Sequence, residues 1–190
     1  MTGFYISIGS ILIFLMIENF LRFSKDAKSL KTSDSDKGTT AILRFALIST
    51  IILVLCSYFL NLYNILQIDS QVLFFIGLSF VIVGLIIRLI ATFTLKEYYT
   101  RTLKITDKHK IVKHGIYSIV RHPGYLGVTT FLVGAGLLTG NLISIILIVL
   151  TVPFSFIKRL LIEEQMLLKH FGNEYKEYME KTYRLIPFIF

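Results

Sequence analysis

The sequence predicts an all-α integral membrane protein with about five transmembrane helices, the last two forming a short hairpin, followed by cytoplasmic C-terminal amphipathic helices. Three observations predict it. Hydrophobic residues make up 54% of the 190 residues and the mean hydropathy is +0.70, whereas a soluble domain is about 45–50% apolar with glycine included. The apolar residues gather in runs, several of them near the ~20 residues that a helix needs to cross ~30 Å of hydrocarbon. The charged residues, 17% of the chain, are bunched between those runs. The same figures exclude intrinsic disorder, which requires low hydrophobicity. The net charge of +8 does not point to nucleic acid, because long apolar runs separate the basic residues. A single cysteine, Cys56, excludes an intramolecular disulfide framework and a cysteine-based zinc site. Inside an apolar run, it is expected to be a small buried core residue.

The first span is expected from Gly3 to Phe23, interrupted by Glu18 and Asn19 near its end. No basic region precedes it and no small-x-small cleavage site follows it, so it reads as a retained helix rather than a signal peptide. The second runs from Ala41 to about Leu62, and the third from Val72 to Leu95 with Arg88 inside it. The fourth and fifth, Tyr125–Leu138 and Leu142–Ile157, are short, and Thr139-Gly140-Asn141 reads as the tight turn between them. Gly77 and Gly84 in span three, and Gly127 and Gly134 in span four, are each seven residues apart. Small residues at two-turn spacing let helix backbones approach closely in lipid. The chain reads as one domain over residues 1–190, with two N-terminal spans and their connector in 1–70 and the remaining spans and polar stretches in 71–190.

Every Lys and Arg except Arg88 falls in the loop after span one, the loop after span three, the segment after span five, or the edges of the spans beside them. The remaining loops, 61–71 and 139–141, hold none. The excess of Lys and Arg on cytoplasmic loops therefore predicts an outside N-terminus and a cytoplasmic C-terminus. High Ile and Lys and absent Trp suggest a prokaryote, hence a multi-pass protein of the plasma membrane.

Chemistry is expected in two polar cytoplasmic stretches, residues 96–125 and 158–187. Neither holds a P-loop, a dinucleotide fingerprint or a nucleophile elbow. His109 and His114 lack acidic partners at ligand spacing, so no metal site is expected. Pro123 suits the first turn of a helix, and the amide N–H groups after it are a ready site for an anion or a ribose oxygen. Arg121 and His122 just before it form either an interfacial cap with a snorkelling arginine or part of a ligand site. Arg159 and Glu163 stand at i and i+4 on one helix face, either as a surface ion pair or as a pair that holds a zwitterion. Glu164 is expected to face water. Gly172 is expected to end that helix, and a shorter one follows near Glu174–Lys181. The apolar tail Phe188-Ile189-Phe190 is expected to return to the membrane. Arg88 is costly within a span; it is either functional or snorkels to the surface.

The stretches His109-Lys110-Ile111-Val112, Gly115-Ile116-Tyr117 and Arg121-His122-Pro123-Gly124-Tyr125-Leu126-Gly127 come first. Arg159-x-x-x-Glu163-Glu164, Phe171-Gly172-Asn173-Glu174-Tyr175-x-x-Tyr178 and Ile186-Pro187-Phe188 follow. In order and spacing, from about Gly84 onward, they resemble the isoprenylcysteine carboxyl methyltransferase family and its prokaryotic relatives. The resemblance implies methyl transfer that depends on S-adenosylmethionine, at the cytoplasmic face of the membrane. It implies that His109, Lys110, Ile111, Val112, Tyr117, His122, Pro123, Gly124 and Tyr125 line the cofactor and that Glu163 holds its amino group. It places Arg159 and Arg88 toward the methyl acceptor and makes residues 71–190 the catalytic part. Thr102 stands where animal members carry a cofactor-contacting glutamine. The acceptor implied is a lipid or a lipidated small molecule or protein: the carboxylate of an isoprenylcysteine, or an O or N atom of another membrane lipid. A carboxylate is already ionised at neutral pH, so its methylation needs no general base. Two other classes remain open here. One is an NADPH-dependent reductase related to the sterol reductases, which share an RHPxYxG region but are about twice as long. The other is a non-catalytic membrane protein.

Overall fold

A computed structural model of the chain describes residues 2–21, 38–95 and 110–188, and six α-helices lie among them. These are α1 (Thr2–Phe20), α2 (Thr39–Leu62), α3 (Gln71–Leu95), α4 (Pro123–Leu138), α5 (Leu142–Phe171) and α6 (Asn173–Glu180), with a 3₁₀ turn at Gly115–Ser118 before α4. Four of them, α1, α2, α3 and α5, are long and apolar enough to cross a membrane. Helix α4 is apolar but has 16 residues. At about 1.5 Å per residue it falls short of ~30 Å of hydrocarbon.

Helix α5 corrects the expected short hairpin. Only its first arm is short; the second runs through Pro153 and past Ile157 to Phe171 as one helix of 30 residues. The residues after Ile157 are mostly good helix formers and keep the buried stripe in register: Val152, Phe156, Leu160 and Glu164 are all buried at four-residue spacing. Gly172, at φ 54°, ends the helix where expected, because a residue with positive φ carries little steric cost only as glycine.

The core joins Phe14 of α1, Val54 of α2, Val81 of α3, Phe131 of α4, and Ile148 and Val152 of α5. The Phe14 and Phe131 rings stack with centroids 4.5 Å apart. Large apolar side chains such as Met16, Phe45, Val72 and Leu150 point outward, as they must when lipid is the solvent. Cys56 is among the exposed residues, so it is not the core residue expected; Val54 and Ser57 take the buried face of α2 instead.

Helices α3 and α4 meet along the glycines singled out above. A methyl group on Gly84 would lie 2.4 Å from the Phe131 amide nitrogen, and one on Gly134 would lie 2.6 Å from that of Val81. Backbone against backbone is the contact that small residues permit in lipid.

The two loops without Lys or Arg are tied together at one end of the bundle. Asn141 caps α5 by accepting from the Ser144 amide, and its Nδ2 donates to Asn61 Oδ1 (3.0 Å) and the Ile65 carbonyl (2.8 Å). The Ile68 amide donates to the Gly140 carbonyl at 2.7 Å. At the other end, residues 183–184 lie alongside residues 119–122. Tyr183 N–H donates to the Ile119 carbonyl and Arg121 N–H to the Tyr183 carbonyl. Of the apolar tail only Phe188 is described; it is exposed, and its ring meets that of Tyr183.

Candidate active site

A cavity of about 140 Å³ opens where α3, α4, α5 and α6 meet near the 3₁₀ turn. Nine of the twelve residues expected at the site line it: Arg88, Lys110, Ile111, Val112, Tyr117, His122, Gly124, Tyr125 and Glu163. Pro123 is buried at the first position of α4 and sets the start of that helix rather than the cavity wall. Arg159 is 2% exposed and lies behind the wall. His109 lies outside the described residues. Arg121, Tyr175, Tyr178, Leu167 and Phe171 complete much of the lining.

Tyr125 links the wall to Arg159. Its hydroxyl donates to Glu163 Oε2 at 2.5 Å and accepts from Arg159 Nε at 3.0 Å. The i, i+4 spacing does put Arg159 and Glu163 on one side of α5, and a tyrosine from α4 connects them. Nη1 of Arg159 reaches Thr40 Oγ1 of α2 at 3.1 Å. The His122 ring stacks on that of Tyr125, 11° from parallel.

Glu164 was expected to face water and does not; it is 5% exposed. Arg121 Nε donates to one of its oxygens and Arg184 Nε to the other, both at 2.9 Å, and His122 Nε2 lies 3.4 Å away. Arg121 also donates through Nη1 to the carbonyls of Met179 and Thr182. One carboxylate thus holds the segment before α4, the helix α5 and the chain after α6 together. A sequence signal existed: Glu164 stands four residues after Leu160 and eight after Phe156, on the buried stripe of the helix.

Arg88 does not snorkel away from the bundle. Its Nε and Nη2 donate to the two oxygens of Glu18 of α1, at 2.5 and 3.0 Å. Glu18, noted in the sequence only as an interruption, is a site-related residue that the local pattern does not reveal.

Tyr178 donates to the Tyr117 carbonyl at 2.7 Å, and burial pushes its phenol up to about 12. Burial, reinforced by the nearby carboxylates of Glu164 and Glu163, pushes the Tyr175 phenol up further. Both hydroxyls therefore stay protonated at neutral pH and can donate. Tyr175 lines the cavity, and its hydroxyl oxygen is buried with no hydrogen-bond partner among the described residues. A buried hydroxyl left unpaired costs about 1–3 kcal/mol, so a ligand that pairs it is favoured.

Known proteins resemble this chain in sequence and in fold. The isoprenylcysteine carboxyl methyltransferase (ICMT) family matches residues 75–169. A probable protein-S-isoprenylcysteine O-methyltransferase of Oryza sativa subsp. indica is 38% identical over 117 residues, covering 60% of this chain and 61% of the relative. The protein-S-isoprenylcysteine O-methyltransferase of Saccharomyces cerevisiae is 35% identical over 116 residues, covering 60% of this chain and 48% of that one. A solved eukaryotic intramembrane Ras methyltransferase, isoprenylcysteine carboxyl methyltransferase, superposes with a TM-score of 0.62 at 29% identity, over 77% of this chain and 52% of its own. The chain thus spans about half to three fifths of the length of these relatives. The family match begins within α3 and runs to the last turns of α5, so that Arg88, the start of α4 and the Arg159–Glu163 pair all fall within it; this chain belongs to the isoprenylcysteine carboxyl methyltransferase family.

Proposed function

We propose that this protein is a membrane methyltransferase that moves a methyl group from S-adenosylmethionine to a lipid-like acceptor, in the first place the carboxylate of an isoprenylcysteine. The observation that carries the reading is the single cavity lined by Glu163, Arg88 and Tyr175, the last with a buried hydroxyl that lacks a partner among the described residues. The donor set fits the cofactor. Glu163 carries a negative charge for its ammonium group, Tyr175 offers a donor for an oxygen, and Ile111, Val112 and Leu167 give apolar surface for its ring. When bound, S-adenosylmethionine supplies a methyl group on a sulfonium cation, which leaves as a neutral thioether when the acceptor oxygen takes the methyl.

The residues of the chain orient and desolvate. Arg88 pairs with the acceptor carboxylate, and holding two reactants in line is a large part of the rate enhancement available to such a reaction. Arg159 acts through Tyr125, keeping its hydroxyl turned to Glu163. The tyrosine-rich wall excludes water, which strengthens the attraction between a cation and an anion. The acceptor arrives from the lipid and the cofactor from the basic end of the bundle, which faces the cytoplasm of a prokaryotic cell in this reading. Residues 71–190 form the catalytic part.

The test is transfer of a labelled methyl group to N-acetyl-S-farnesyl-L-cysteine and, in parallel, to membrane extracts. Base-labile label identifies an ester; base-stable label identifies methylation of another lipid at an ether oxygen or an amine. Glu163→Ala removes a charged hydrogen bond worth about 2 kcal/mol, so S-adenosylmethionine affinity by calorimetry falls roughly thirtyfold. Unchanged affinity in that variant overturns the assignment of Glu163. Arg159→Ala is expected to lower transfer, because Tyr125 loses the contact that orients it. Transfer equal to wild type removes Arg159 from the site.

A further inference from the structure

We infer that Glu18, on the first helix, is a positioning residue of the active site: its carboxylate fixes the plane of the Arg88 guanidinium, a group that lines the cavity. The inference rests on reading that cavity as the methyl-transfer site. Glu18 lies outside the residues that match the family, so this contribution comes from a part of the chain that the family match leaves without a role.

The geometry is a fork. Arg88 gives Nε and Nη2 to the two carboxylate oxygens of Glu18. Two parallel bonds between planar groups fix the plane and rotation of the guanidinium, as a single bond does not. Both side chains are largely buried, 11% and 15% exposed, among apolar helices. An arginine within a span is stable there only when paired, and otherwise turns toward water. Glu18 therefore constrains where Arg88 points.

The third nitrogen, Nη1, lies beside Gly124 of α4. A methyl group on Gly124 would lie 2.8 Å from it. Gly124 also lines the cavity, so the space beside Nη1 is cavity space that a side chain at position 124 would take. A flexible side chain end could ordinarily shift aside, but this one is held on its other edge by Glu18. The helix α1 sets the angle, and the glycine of α4 leaves the opening. Thr40 of α2 bears on Arg159 in a comparable way, so both N-terminal helices reach an arginine of the candidate site.

The full chain in lipid nanodiscs tests this, with N-acetyl-S-farnesyl-L-cysteine as acceptor. Glu18→Gln keeps the shape and removes the charge. The acceptor KM is expected to rise roughly tenfold while S-adenosylmethionine affinity stays unchanged, since a small misplacement of an orienting group carries a cost of this order. Glu18→Asp restores part of the loss. In an Arg88→Lys background Glu18→Gln has no further effect, because residues that act through one another are not additive. A nitrogen-detected NMR measurement reads the clamp without turnover: the Arg88 Nε–H signal, assigned by its loss in Arg88→Lys, is protected from exchange in wild type and unprotected in Glu18→Gln. An acceptor KM equal to wild type in Glu18→Gln overturns the inference, as does an undiminished effect in the Arg88→Lys background or an unprotected signal in wild type. A wild-type protein with the protected signal that methylates no acceptor overturns the proposed function and leaves the clamp standing.

Discussion

Gly127→Val is expected to lower the melting temperature of the detergent-solubilised protein by about 10 °C. An added methyl group at this position would meet the Arg88 amide nitrogen at 2.6 Å, the Gly84 carbonyl oxygen at 2.8 Å and the Arg88 Cα at 3.0 Å. All three are backbone atoms of α3, so nothing can turn aside. The two helices must separate, and the contacts of Gly84 with Phe131 and of Gly134 with Val81 loosen with them. Overpacking of this kind costs about 1–3 kcal/mol in a core that can yield and more where backbone meets backbone. At about 2–4 °C per kcal/mol for a chain of this size, a loss of about 3 kcal/mol gives the stated shift. Gly9→Ala is the control. Nothing lies within 4 Å of a methyl group there, and alanine favours the helix by up to about 1 kcal/mol. A Gly127→Val protein that melts with wild type would show that the seam between α3 and α4 tolerates separation.

The second large effect is expected from Glu164→Gln. The amide keeps the volume of the carboxylate but leaves Arg121 and Arg184 turned toward a neutral group in a site closed to water. Removing one partner from a buried ion pair costs about 3–5 kcal/mol, because the remaining charge stays buried. The damage is local in kind. Arg184 belongs to the segment after α6, and its hold on α5 is lost. Trypsin is therefore expected to cleave after Lys181 and Arg184 much faster in this variant than in wild type. Glu163→Gln, one residue away, leaves that segment protected while weakening cofactor binding. Equal cleavage rates in Glu164→Gln and wild type would show that the backbone pairing of residues 119–122 with 183–184 holds the segment without the carboxylate.

These two neighbours mark how far the sequence could be read. The helices of the bundle follow from hydropathy, and the close approach of α3 and α4 follows from four glycines at two-turn spacing, because both are properties of local pattern. The start of α4 at Pro123 and the end of α5 at Gly172 are legible for the same reason, since each depends on the backbone demands of one residue. The length of α5 was underestimated because the change from apolar to charged composition after Ile157 marks where lipid ends, not where the helix ends. Most of the residues picked for the site by family resemblance do gather round one cavity, although Arg159 reaches it only through Tyr125 and His109 lies outside the described residues. The burial of Glu164 was legible in the stripe of α5, but its partners and those of Glu18 were not, because a carboxylate is placed by its partners. Arg121, Arg184 and Arg88 stand between 20 and 70 positions away in the chain. No periodicity reports such a pairing.

The brevity of α4 bears on how the protein enters its membrane. A segment of 16 residues, several of them glycine, offers a translocation channel too little apolar length and surface to be released into lipid as a helix in its own right. It needs α5, which follows after a three-residue turn and has apolar length to spare. The two therefore integrate as one hairpin, with its tip, Thr139 to Asn141, carried to the far side and fastened there by Asn61 and Ile65. Until that hairpin arrives, Gly77 and Gly84 of α3 stand against lipid with nothing to pack on. Assembly of the glycine seam is thus a late event in synthesis, completed only after the ribosome has passed the turn that joins α4 to α5.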